Sequence, residues 1–123
     1  MKILIDSYST CTQNKSGGVQ VRINKIVELL KEKNIKVDFF NKFSTKVNEY
    51  DILHIFMLSM ENYSLIKYAK SQGVKVVIST IIPLINGRKI DTYRHLIKLP
   101  IPTTYKIMIQ SLQLADMLIV ETP

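Results

Sequence analysis

The sequence predicts an α/β fold, a parallel sheet of about five strands with helices on both faces. Two observations predict it. Short, nearly continuous apolar runs rich in β-branched residues, Lys2–Asp6, Asp51–Phe56 and Val74–Thr80, suit strands buried on both sides. Between them lie stretches of helical periodicity, such as Ile23, Ile26, Val27 and Leu30 at i, i+3, i+4 and i+7. Strands alternating with helices call for right-handed crossovers and a parallel sheet.

Each element has its own signals. The strand Lys2–Asp6 leads into a polar loop, Ser7 to Ser16, which is long for a βα connection; such loops are commonly functional. Ser16 is placed to N-cap a helix that runs from the Gly17-Gly18 pair to about Lys33, and Asn34 suits the left-handed residue that ends it. A second strand, Ile35–Phe40, is followed by a polar connector, Asn41 to Glu49, and by the third strand. A helix from about Met60 to Gln72 ends at Gly73. After the fourth strand, Pro83 makes Ile81 to Arg88 a loop, and Lys89 to Leu99 reads as a short basic helix. Pro100 and Pro102 punctuate the chain before a helix at about Thr103 to Ala115, with Tyr105, Met108, Ile109, Leu112 and Ala115 on one face. The last strand is Met117–Val120. The whole pattern is that of a Rossmann-like sheet.

Composition narrows the class. A chain of 123 residues with 46% hydrophobic and 22% charged residues has enough apolar surface for one core, the composition of a globular protein and not of a disordered one. A single cysteine, Cys11, rules out an internal disulfide and a thiolate zinc cluster, and suits a reducing cytoplasm. No run reaches the ~20 apolar residues of a membrane span, and the charged first strand does not read as a signal peptide. The formal charge of +7 is unevenly spread: Lys67, Lys70, Lys75, Arg88, Lys89, Arg94, Lys98 and Lys106 face one acid, Asp91, between Tyr63 and Leu114. Such a surface attracts phosphates or anionic headgroups. In Arg88–Lys106 the basic residues interleave with Tyr93, Leu96, Ile97, Leu99 and Ile101; Arg88, Lys89, Arg94 and Lys98 there are candidates for acceptor or anionic-membrane contact. Net charge is the sole argument for nucleic acid, and no such partner is expected.

The Gly17-Gly18 pair at a helix start after a strand is the strongest candidate site. Helix N-termini offer unpaired N–H groups and partial positive charge, and glycine permits close approach of a ligand. The pair is equally compatible with a plain turn. There is no P-loop signature, and no G-x-G-x-x-G; the loop is too long for the tight dinucleotide turn. Asp38 lies where a ribose-binding acid would fall but sits in mid-strand. No His, Asp or Glu cluster has metal-ligand spacing, so neither metal nor cofactor is expected.

The order of landmarks resembles the N-terminal domain of glycosyltransferases of the GT-B fold, family 4. The loop ending Gly17-Gly18-Val19-Gln20-Val21 and the helix with Ile26-Val27-Glu28-Leu29-Leu30 lead to Asn34-Ile35-Lys36-Val37, in place of that family's G-H-x-V. Asp51-Ile52-Leu53-His54-Ile55-Phe56 is similar to its D-[IV]-[IVL]-H-x-H strand. Tyr68 to Val77 is similar to its A-K-x-x-G-x-P-x-V passage, and Ala115-Asp116-Met117-Leu118-Ile119-Val120 to its A-D-x-V-I-x-x-S strand.

The resemblance implies a sugar transfer with retention, from a nucleotide sugar to a polysaccharide or lipid-linked acceptor, between two lobes. The 123 residues would be the acceptor-side lobe of a longer, truncated enzyme, inactive alone, cytoplasmic and peripheral at the membrane. The donor would be held mainly by the missing C-terminal lobe. Gly17 and Gly18 would approach the donor diphosphate or sugar, with Arg22 or Lys15 in range. His54 and Thr80 would lie at the cleft edge, although a hydrogen-bonded structural role suits His54 equally well. The family's histidine after the fourth strand is absent from Ser79-Thr80-Ile81-Ile82-Pro83, so no general acid or base is assigned. The rival is a stand-alone flavodoxin-like or receiver-like binding module. A receiver would end its third strand in a phosphoacceptor Asp, where this chain has Phe56-Met57.

Overall fold

The computed structural model describes residues 1–8, 18–81 and 104–121. They form a five-stranded, all-parallel sheet flanked by helices, a Rossmann-like α/β fold. The strands are β1 (Lys2–Asp6), β2 (Lys36–Phe39), β3 (Ile52–Phe56), β4 (Lys75–Ile81) and β5 (Met117–Glu121). The helices are α1 (Gly18–Glu32), α2 (Tyr63–Ser71) and α3 (Thr104–Leu114), with 3₁₀ turns at Val47–Glu49 and Met60–Asn62.

The strand order is β2-β1-β3-β4-β5. The chain thus leaves β1 to one side and resumes beside it on the other, with Leu4 paired to Asp38 on one flank and to Leu53 on the other. Crevices for ligands open at such a reversal, outside the carboxyl ends of the strands.

Alternation along the strands builds two cores. Ile3, Ile5 and Phe56 pack under Ile23 and Val27 of α1. On the opposite face Leu4, Leu53, Ile55, Val76 and Ile78, all fully buried, pack under Ile66 and Ala69 of α2, with Leu112 of α3 beside them. The helical stripe Ile23, Ile26, Val27, Leu30 therefore faces the sheet.

Two helices end in the same way. Asn34 (φ 58°) follows α1 and Gly73 (φ 77°) follows α2, both left-handed. Asn34 N–H donates to Lys31 O and Ile35 N–H to Leu30 O; Gly73 N–H donates to Lys70 O and Val74 N–H to Ala69 O. Each is a Schellman ending in which the first residue beyond the turn carries an apolar side chain back to the core.

Several element limits differ from expectation. The helix expected from Met60 splits into a 3₁₀ turn and α2, because Asn62 turns inward instead of continuing the helical ladder. Ile81, expected in a loop, extends β4 by pairing with Glu121 of β5. The polar connector hides an apolar anchor, Val47, which is buried against the α2-side core. In α3 the most buried described side chain is Ser111, which donates to Ile107 O at 3.0 Å and so enters the core with its hydroxyl satisfied. The expected basic helix at 89–99 lies outside the described residues.

Candidate functional site

The carboxyl ends of β1 and β2 and the 3₁₀ turn Met60–Asn62 border an open pocket of about 420 Å³ lined by Asp6, Ser7, Phe40, Lys42, Glu61 and Asn62. Its wall is built by Asn62, which is 1% exposed. Asn62 Nδ2 donates to Asp6 Oδ2 (3.0 Å) and Ser7 O (3.1 Å), while its Oδ1 accepts from the Ser59 N–H (3.2 Å) and hydroxyl (2.9 Å). The Ser59-x-x-Asn62 spacing is a reciprocal cap on the 3₁₀ turn. One amide thus ties the β3–α2 connection to the end of β1. Ser7 reinforces the tie by donating its hydroxyl to Phe56 O. Just after β3, Met57 takes a left-handed φ of 59°, which turns the chain sharply at the pocket wall.

Burial pushes the Asp6 carboxyl up from its ordinary value, against the lowering effect of hydrogen bonds from Ser7 and Asn62; the Glu61 charge adds to the rise. A half-desolvated carboxylate beside a second carboxylate, an ammonium (Lys42) and a ring (Phe40) can accept hydrogen bonds from hydroxyls and pack a ring against a C–H face.

A second cluster lies on the α1 face. His54 Nε2 and Ser79 Oγ share a 2.7 Å hydrogen bond between β3 and β4, and the imidazole stacks on Phe56 with centroids 4.1 Å apart. Burial, and then the nearby Arg22 charge, lowers the His54 pKa to about 4, so the ring is neutral at pH 7. Gln20, in the first turn of α1, has a buried Oε1 with no hydrogen-bond partner among the described residues.

The predicted site residues are distributed as follows. Gly18 is the first residue of α1, and a Cβ built there meets nothing within 4 Å. Its φ is not left-handed, so neither its backbone conformation nor close packing among the described residues requires glycine at this position. Arg22 stands one turn further along, close enough to His54 for its charge to act on the imidazole. Thr80 lies in β4, paired with Val120. Gly17, Cys11, Lys15, Arg88, Lys89, Arg94 and Lys98 lie outside the described residues.

The pocket residues Asp6, Ser7, Lys42, Glu61 and Asn62 were not among the candidates read from sequence. Asp6 carried a signal, an acid closing an otherwise apolar strand at its carboxyl end. Asn62 carried none, because an asparagine in a polar stretch reads as surface until the fold turns it inward. Among the described residues no three His, Cys, Asp or Glu side chains could hold a metal ion, and no helix is long and apolar enough to cross a membrane. No family model, curated protein or solved structure matches the chain.

Proposed function

We propose that the chain is the acceptor-side lobe of a two-lobed glycosyltransferase that moves a sugar from a nucleotide sugar to a saccharide or lipid-linked acceptor. The observation that carries this reading is Gly18: it opens a 15-residue helix beside the strand reversal, with no described atom where a side chain would stand and no demand for glycine from its own backbone conformation. A donor phosphate or sugar that approaches the helix start accounts for the glycine. The unpartnered Gln20 Oε1 in the same turn supports it as an acceptor for a ligand hydroxyl. The hydroxyl-binding chemistry of the Asp6–Glu61 pocket suits the acceptor sugar. The landmark motifs fall at the α1 start, in β3, at the α2–β4 turn and in β5, an order that agrees with the proposal.

One lobe holds half of such a site. Calorimetric titration of the 123-residue chain with uridine diphosphate sugars should therefore give a Kd no tighter than about 1 mM. Micromolar affinity, or sugar transfer by this chain alone, overturns the lobe assignment. The strand order favours a second reading, a flavodoxin-like binding module, since that fold shares the arrangement. Saturable micromolar binding of flavin mononucleotide in the same titration format is the result that selects it.

A further inference from the structure

We infer that the turn after β2 is a docking point for an anionic lipid surface, with Phe43 as the inserted side chain and Lys42 and Lys46 as its electrostatic contacts. The resemblance expects anionic-membrane contact from Arg88, Lys89, Arg94 and Lys98; this inference assigns such contact to a different surface, on observations that do not depend on the transferase reading. Phe43 is 88% exposed, the most exposed of the large apolar side chains described, and Phe39, at the end of β2, is 54% exposed. From Phe39 to Lys46 there are two lysines and no acid.

The exposure is built into the turn. Asn41 Oδ1 accepts from Phe43 N–H (3.0 Å), Asn41 O accepts from the Ser44 (3.1 Å) and Thr45 (2.8 Å) N–H groups, and Asn41 N–H donates to Thr45 Oγ1 (2.8 Å). Four hydrogen bonds close five residues into one shape and leave the ring at its tip exposed. Lys42 Nζ sits 5.1 Å from the ring centroid, a pairing that keeps cation and aromatic on one side of the turn. Val47, buried next along the chain, pins the turn to the core.

The chemistry selects a membrane over a protein. A specific protein interface needs about 800 Å² per partner with a desolvated apolar centre. One ring on a convex basic tip offers no such area. An aromatic ring inserted at the headgroup boundary with lysines in the negative surface potential needs no such area, and makes a reversible contact with lipid. Lys42 and Phe40 also line the Asp6 pocket, so the docking turn borders it.

The chain contains no tryptophan, so F43W places a single reporter at the tip. The 123-residue variant is mixed with vesicles of phosphatidylcholine alone and of an equimolar mixture with phosphatidylglycerol. The expected result is a blue shift of indole emission and quenching by brominated acyl chains on the mixed vesicles only. Without the reporter, F43S should lower the partition coefficient at least about tenfold, and K42Q/K46Q about fivefold for each lysine, with the circular dichroism spectrum unchanged. Unshifted emission on the mixed vesicles overturns the proposal, as does equal binding to neutral vesicles. Sedimentation of the chain with vesicles while the indole stays unshifted assigns binding to another surface, and a shift produced by RNA but not by vesicles assigns the tip to nucleic acid; either result also overturns it.

Discussion

His54 is the side chain whose chemistry departs most from its ordinary behaviour. Its folded pKa of about 4 lies below the ordinary imidazole value of 6.5, so between those values the unfolded chain binds a proton that the native ring does not. Stability attributable to this group is therefore fully present above pH 6.5 and lost as pH falls toward 4, by about 3 kcal/mol in all. Urea midpoints from pH 7 to 4 should show the loss, and the His54→Gln variant should lack that part of the slope. Asp6, whose carboxyl burial raises, acts in the opposite sense, and comparison of the two proteins cancels it. A parallel slope in both proteins counts against a neutral buried imidazole. Gly18 yields a second prediction. Because a Cβ fits there, Gly18→Ala should leave the melting temperature unchanged or raise it, with a gain of up to about 1 kcal/mol. A loss of stability would show that the fold, and not a ligand, requires the glycine.

The helices owe their limits to their ends more than to their middles. Gly73 and Asn34 occupy equivalent places in two Schellman endings but tolerate change differently. Gly73→Ala forces a Cβ into the left-handed region and should cost about 1 kcal/mol, read as a lower urea midpoint, although no neighbouring atom obstructs it. Asn34→Gly should be neutral or slightly stabilising. Equal responses at the two sites would refute the shared ending. These caps were legible in the sequence because each combines a turn-tolerant residue with an apolar residue immediately beyond it. The inward turn of Asn62 was not: its four hydrogen bonds join residues up to 56 positions apart, and local pattern says nothing about partners at that distance.

Across the molecule, stability is graded by position in the sheet. Leu4 of β1, Leu53 and Ile55 of β3 and Val76 and Ile78 of β4 are fully buried, whereas β2 is exposed at both ends and Met117, Leu118 and Ile119 of β5 are 39–58% exposed. Amide hydrogen exchange should be slowest in β1, β3 and β4, with paired strands on both sides, and faster in the edge strands β2 and β5. Uniform protection over all five strands would indicate one cooperative unit instead of a graded one. The pocket follows from the same arrangement, since β1 alone has neighbours reached by chain segments running in opposite directions.

The sequence by itself determined the number of strands and their places along the chain, the stripe on α1, both left-handed helix ends and the parallel sheet. These depend on short-range periodicity, backbone tolerance and the handedness of crossovers, all of which act within a few tens of residues. It also marked the glycine at the start of α1, though not that the fold leaves the space above it open. Only the tertiary structure decided that β3 lies beside β1, that His54 meets Ser79 across two strands, and that Asp6, Lys42 and Asn62 share one pocket. Those meetings depend on which strands pair and which face each side chain takes, and burial in the assembled sheet then sets the charge states of Asp6 and His54.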